Sequence, residues 1–191
     1  MVAIAIVYFS GQGHTHLMAE ALAEGVKQAG GTPHLLRITG KQIVDGRWQD
    51  EAMLATLKTA DGIVFGSPTY MGGIAGQFKC FIDAASETWF EQGWKDKIAG
   101  GFTHSGSPSG DKQGTLLYLA INASQHSMIW VGPADMPNPD TGVNRLGSFM
   151  GVMGYSALDM SGAPAKVDSG DLESAKLYGQ RLVAVAQKFA T

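Results

Sequence analysis

The sequence predicts an α/β fold: a doubly wound, five-stranded parallel sheet in the order 2-1-3-4-5, helices on both faces, formed as one domain over residues 1–191. Three observations predict it. Short apolar runs alternate with segments of helical periodicity along the whole chain. The crossovers between apolar runs are too long for hairpins, which forces parallel pairing. Loops rich in Gly, Ser, Thr and Pro follow the first, third and fourth runs, and in that strand order those three are neighbours.

The first run, Val2-Ala3-Ile4-Ala5-Ile6-Val7, is a buried strand that passes directly into Tyr8-Phe9-Ser10-Gly11-Gln12-Gly13-His14-Thr15. Leu17, Met18, Ala21, Leu22, Gly25, Val26 and Ala29 then recur at one-turn spacing, a helix over 14–29. His34–Ile38 is the second strand, residues 39–49 an irregular link, and 50–59 a short helix. Gly62–Gly66 is the third strand, and Ile74, Phe78, Phe81, Ile82 and Ala85 stripe the helix after it. Lys97–Thr103 is the fourth strand, weakened by two glycines; a helix over 112–125 and a fifth strand, Met128–Val131, follow. Residues 133–148 hold Pro133, Pro137, Pro139, Gly142 and Gly147, a loop of a length that is usually functional, and both a moving lid and a static cover are open readings. Leu172, Ala175, Gly179, Leu182, Val183 and Ala186 mark a last helix near 171–189.

Composition excludes several classes. With 191 residues, 45% hydrophobic and 16% charged, the chain can bury a substantial core. A net charge of −3 leaves no basic field for nucleic acid and no strongly acidic face for docking a cationic protein. No charged-then-apolar leader opens the chain, and no run approaches the ~18 apolar residues of a membrane span, so a cytoplasmic location is expected. The single cysteine, Cys80, rules out an internal disulfide framework. Between Gln77-Phe78-Lys79 and Phe81-Ile82 it reads as a packed helix residue. No His/Cys/Asp group has ligand spacing, so no metal is expected.

The chemistry points to the three loops. In the first, glycines let the backbone curl so that N–H groups converge, Ser10 and Thr15 add hydroxyls, and a helix begins with its positive end facing the same spot. That is a phosphate cradle. His16 stands where the dinucleotide fingerprint needs its third glycine, and no Gly-Lys-Ser/Thr follows as a P-loop requires. A lysine-free loop of hydroxyls suits a terminal phosphomonoester such as that of FMN.

The second loop runs Ser67-Pro68-Thr69-Tyr70-Met71-Gly72-Gly73. Pro68 stiffens the strand exit, Tyr70 and Met71 offer an aromatic ring and a thioether to a flat ring system, and the glycines permit close approach. The third runs His104-Ser105-Gly106-Ser107-Pro108-Ser109-Gly110. Backbone N–H groups there can serve the pyrimidine edge of a flavin, where negative charge accumulates on reduction. The candidate cofactor-binding residues are Ser10, Gln12, Gly13, His14, Thr15, Pro68, Thr69, Tyr70, Met71, Gly72, His104, Ser105, Gly106, Ser107 and Ser109. His14 offers the phosphate an imidazole or only its N–H; His104 reads as a hydrogen-bonding loop residue. His126 lies at a helix C-terminus, where the dipole favours imidazolium, and its spacing alone gives little reason for a site role. The helix over 112–125 is apolar around most of its circumference at Leu116–Ile121, a surplus that points to a partner chain.

These segments resemble the flavodoxin-like NAD(P)H:quinone oxidoreductases, most closely those of the Trp-repressor-binding-protein type. The residues that carry the likeness are Ser10–Thr15, Gly66–Gly72 followed by Gly76-Gln77-Phe78-Lys79, and His104–Ser107, and it extends over nearly the whole chain. The resemblance implies FMN as cofactor, NAD(P)H as electron donor, two-electron reduction of quinone-like acceptors, and assembly as a homodimer or homotetramer. By position it also implies catalytic roles for Trp89, as a wall of the active site, and for His126, reaching the flavin of a neighbouring subunit. The sequence departs from the pattern at Gln12, often aromatic in the family, at Tyr70-Met71, where the family has an Arg-Phe type pair, and at residues 146–152. Those positions bear on donor and acceptor choice. Two alternatives stay open: a flavodoxin-type electron carrier docking a protein partner, and a flavin-binding regulatory module. A phospho-receiver domain shares the strand order but needs an acidic pair where the first strand ends in Tyr8-Phe9-Ser10.

Overall fold

In the computed structural model, which describes residues 1–189, the elements follow in the order β1 (Ala3–Phe9), α1 (His14–Gln28), β2 (Thr32–Ile38), β3 (Ile43–Val44), β4 (Arg47–Trp48), α2 (Glu51–Thr59), β5 (Gly62–Tyr70), β6 (Gly73–Ile74), α3 (Gly76–Ala84), α4 (Ser86–Phe90), β7 (Ile98–Ser105), α5 (Lys112–Gln125), β8 (Ile129–Trp130), β9 (Val152–Tyr155) and α6 (Ser169–Phe189). The main sheet runs β2-β1-β5-β7 and then β8, every pairing along it parallel. This is the predicted 2-1-3-4-5 order.

The fifth position differs from the expected single strand. β8 pairs only with the start of β7, at Ile98 and Ala99, and β9 pairs with its end, from Phe102 to Ser105. The chain leaves the sheet after Trp130 and returns to the same edge at Val152. Trp130 closes the gap by donating its indole N–H to the Met150 carbonyl at 2.8 Å. Residues 133–148 therefore form an excursion inserted into one strand, and the second half of that strand was hidden because Val152–Tyr155 is short and interrupted by Gly154. The link over 39–49 folds as a short turn at Gly40–Gln42 and the β3–β4 hairpin, which delivers Trp48 edge-on to Phe81 at 5.2 Å.

Strand periodicity sorts the core into two faces. From β1, Ile4, Ile6 and Tyr8 join α1 and α6 on one side, with Met18, Leu22, Tyr178 and Leu182. Ala5 and Val7 join the other side, with Phe65, Phe78, Phe81, Trp94 and Leu119. On the first side α1 and α6 meet almost backbone to backbone. A Cβ on Gly25 would run into the Lys176 carbonyl, and one on Gly179 into that of Leu22. No described helix is long and apolar enough to cross a membrane.

Candidate functional site

The three loops meet at the carboxyl edge of the sheet. Contacts between side chains show it: the Tyr70 hydroxyl rests on Gly11, joining the second loop to the first, and the imidazoles of His14 and His104 stack at 4.6 Å and 11°, joining the first to the third.

In the first loop Ser10 is buried, and its hydroxyl accepts from the N–H groups of Gly13 at 3.1 Å and His16 at 3.2 Å. Gly13, with a φ of +98°, turns the chain into α1 in a conformation that L side chains rarely adopt. Among the described residues the N–H groups of His14 and Thr15, the first two of α1, meet no acceptor. A helix start with orphaned donors, buried hydroxyls and no carboxylate from Ser10 to Thr15 fits a phosphate monoester. Gln12 is exposed at the tip of this loop.

The second loop is more ordered than expected. Ser67, Pro68 and Thr69 continue β5, and only Met71 and Gly72, with φ of +48° and +80°, turn the chain into β6. Positive φ at both central residues is the tight hairpin geometry, and it leaves Met71 fully exposed at the tip. Thr69 points inward. Its hydroxyl bonds those of Thr103 at 2.8 Å and Thr115 at 2.7 Å, tying β5, β7 and α5 together beneath the cleft. Ser67 likewise acts within the fold, accepting from the Ala75 N–H at 2.9 Å.

In the third loop His104 is buried, and hydrogen-bond accounting places a hydrogen on its Nε2. The one hydrogen of the Ser156 hydroxyl goes to the Lys166 carbonyl at 2.7 Å, so the 3.0 Å contact with His104 Nε2 is donated by the imidazole. Burial, helped by His14, Lys112 and Arg145, pushes its pKa down to about 3. His14 is displaced downward as well, by burial. Two neutral stacked imidazoles thus stand where the first and third loops meet. Ser105 is buried, whereas Ser107 and Ser109 are exposed on the cleft side. Between the second and third loops lies a cavity of about 530 Å³ lined by Gly72, Pro108, Ser109, Gly114, Leu146 and Met153.

Sequence reasoning missed what pins this edge. Lys112 reaches under the third loop to Ser105, Ser107 and Pro108. Its signal was a lysine at a helix start, where the dipole disfavours a cation. Arg145, from the excursion, grips Asp171 of α6 with two bonds of 2.8 and 2.7 Å and donates to the Tyr155 carbonyl at 3.0 Å. Asp171 also accepts from the Tyr155 N–H at 2.9 Å. Asn144 takes a further bond from its own N–H to Ser174 at 2.8 Å. These bonds tie 133–148 to α6 and to the end of β9. Residues 156–168 also pass over the site, with Leu158 against Gly106 and Ala165 against Gly13.

Trp89 and His126 are placed elsewhere. The carbonyl of Ser127, next to His126, accepts from the Asp96 N–H, just ahead of β7, and so lies at the opposite edge of the sheet from the loops. His126 is 4% exposed, packed on Trp94 at 4.3 Å, and its Nδ1 has no partner. Burial pushes its pKa down to about 4, so desolvation outweighs the helix dipole that was expected to favour imidazolium. Trp89 is half-exposed on α4 beside the fully protruding Phe90, and Leu117 and Ile121 protrude from α5. Neither Trp89 nor His126 reaches the cleft of its own chain.

The chain is 40% identical to flavodoxin FldP of Pseudomonas aeruginosa (strain UCBPP-PA14) over 189 residues, 96% of each protein. It is 30% identical to an NAD(P)H dehydrogenase (quinone) of Geobacter sulfurreducens over 201 aligned positions, 97% of this chain and 98% of that one. The crystal structure of a flavodoxin, WrbA-like protein from Agrobacterium tumefaciens superposes with a TM-score of 0.75 at 40% identity, covering 98% of this chain and 99% of that one. Residues 4–135 match the NADPH-dependent FMN reductase family. With the flavodoxin-like sheet and the three converging loops at its carboxyl edge, the chain belongs to that family.

Proposed function

We propose that this chain is an FMN-dependent NAD(P)H:quinone oxidoreductase that works in the cytoplasm as a homodimer or homotetramer. One observation carries the reading. The stack of His14 on His104 and the contact of Tyr70 with Gly11 gather three loops into one cleft with a phosphate cradle at one end. When bound, FMN would supply the two-electron redox chemistry between NAD(P)H and a quinone.

The residues of the chain hold and shield it. The hydroxyls of Ser10 and Thr15 and the N–H groups of Gln12, His14 and Thr15 take the phosphate, with Gly13 turning the chain so that they converge. Pro68, Thr69 and Gly72 set the path of the second loop, so that Tyr70 and Met71 flank the ring system. Ser105, Gly106, Ser107 and Ser109, with His104 fixed behind them, present the third loop to the pyrimidine edge. The cavity beside Gly72, Leu146 and Met153 admits a flat donor or acceptor in turn. No protein nucleophile is required.

Trp89, half-exposed beside Phe90, belongs at a subunit boundary where it can wall a neighbour's cleft, and Leu117 and Ile121 protrude from α5 as a further apolar surface for a partner. For His126 to reach a neighbouring flavin it must first leave Trp94, and its packing in the chain supports a structural role. Light scattering at micromolar concentration is expected to show a dimer or tetramer; a monomer would refute the assembly.

The functional test is direct. The protein should bind one FMN per chain, much more tightly than riboflavin, and show ping-pong kinetics with NAD(P)H and a benzoquinone. Replacing Ser10 and Thr15 by alanine should weaken FMN, each lost neutral hydrogen bond costing about 0.5–1.5 kcal/mol. Equal affinity for FMN and riboflavin would sink the phosphate cradle. A second reading, the electron carrier, draws on the similarity to flavodoxin FldP. Bound FMN with negligible NAD(P)H-driven quinone reduction would select it.

A further inference from the structure

Lys112 is the first residue of α5 and is 0% exposed. Its Nζ lies 2.9 Å from the Ser105 hydroxyl oxygen, 2.8 Å from the Ser107 carbonyl and 2.9 Å from the Pro108 carbonyl. The Ser105 hydroxyl spends its own hydrogen on Ser107 O at 3.0 Å, so all three groups act as acceptors toward the lysine. Three acceptors require three N–H donors. A neutral amine has two; the group is an ammonium.

Among the described residues this ammonium has no ion-pair partner, and Asp171, the carboxylate whose charge acts on it, is engaged by Arg145. Its remaining neighbours are the Tyr155 ring, 6.0 Å away, and the cationic or neutral groups Arg145 and His104. The site is unfavourable for a cation on two counts: it is buried, and it adjoins the positive end of a helix. A glutamine or asparagine could hold the same carbonyls without charge. What the charge adds is a fixed positive potential beneath the third loop.

On the reading of the cleft as an FMN site, we propose that Lys112 makes this loop favour reduced, anionic FMN over oxidised FMN. A hydride carries two electrons and one proton, so its transfer to FMN yields the reduced anion while the nicotinamide leaves oxidised. The added negative charge is balanced by Lys112 instead of by a second proton. Lys112 also positions the loop, by drawing the Ser107 and Pro108 carbonyls to its underside. It is a positioning residue with an electrostatic effect and transfers no proton itself.

The test separates charge from shape. Dissociation constants for oxidised FMN and for dithionite-reduced FMN are measured anaerobically for the wild type, Lys112→Met and Lys112→Gln. Loss of the charge should lower the preference for reduced over oxidised FMN at least tenfold in both variants. That equals a fall of about 30 mV in the two-electron midpoint potential. Lys112→Gln should keep its oxidised-FMN affinity better than Lys112→Met, because it can still donate to the carbonyls. Equal weakening of both redox forms would overturn the proposal and leave Lys112 a loop pin. If the variants do not fold, the wild type decides: its potential between pH 6 and 8 should follow one proton per two electrons, and two protons would overturn the proposal. A protein that binds no FMN in either form overturns the cofactor reading itself.

Discussion

Replacing Arg145 by methionine is expected to cost about 1–3 kcal/mol of stability, the cost of leaving the buried Asp171 carboxylate without its partner when the arginine itself reaches solvent. Asp171 is 1% exposed and loses both guanidinium bonds, keeping only the Tyr155 N–H. The guanidinium also faces Asp168 at 3.4 Å and the Tyr155 ring at 5.7 Å, so the excursion loses its main tie to α6 and β9 together. Those contacts hold the arginine firmly in its charged form, the bond to Asp171 first among them. A urea titration should show the midpoint fall, and hydrogen exchange should rise across residues 133–148. The double variant R145M/D171N, which leaves no unpaired buried charge, should recover a large part of the loss. A change below about 1 kcal/mol in the single variant would mean that the pair is no more than a surface contact.

Acid should destabilise the protein well before ordinary carboxylate protonation dominates. His104 has its pKa pushed from 6.5 down to about 3, by burial first and by the cations around it second. Its folded value lies below its unfolded value. Between the two, the unfolded chain binds a proton that the folded chain refuses, so stability is full above pH 6.5 and falls as pH drops through that window. At pH 4.5 the loss from His104 alone is about 2–3 kcal/mol, at 1.36 kcal/mol per unit. For a chain of this size that is a fall of roughly 4–12 °C in Tm. His126, pushed down to about 4 by burial against Trp94, acts in the same direction. Melting curves from pH 7 to 4.5 measure the effect, and imidazole proton shifts assign it. A flat Tm over that range, or a His104 that titrates near 6.5, contradicts the buried neutral assignment.

The fold was legible because its signals are local. Apolar runs mark strands, one-turn stripes mark α1, α3 and α6, and loop composition marks the carboxyl edge; the helix over 112–125 matches α5 residue for residue. What escaped was carried by contacts between distant segments. The pairing of Arg145 with Asp171 spans 26 positions and has no periodic trace. β9 has too few residues to show alternation, and its partner β7 is what makes it a strand. Ser67–Thr69 read as loop because of their Ser-Pro-Thr composition, yet pairing with β7 extends the strand through Ser67 and Pro68, and pairing with β6 through Thr69. The cofactor loops were visible as composition, while Lys112 beneath the third was visible only once its three acceptors were in place.

The close seating of α6 on α1 has a consequence for how the cleft comes into being. α1 follows the first loop near the start of the sequence, yet the helix that covers it lies beyond residues 29–168. Until that distant helix docks, Met18, Leu22 and Val26 have no cover on their outer side. Closing so long a loop is slow, and the partly assembled chain meanwhile shows an apolar face to other molecules. Refolding should therefore be sensitive to protein concentration, and the two glycines at the contact guard against that hazard by letting the late helix settle without rearranging the early one.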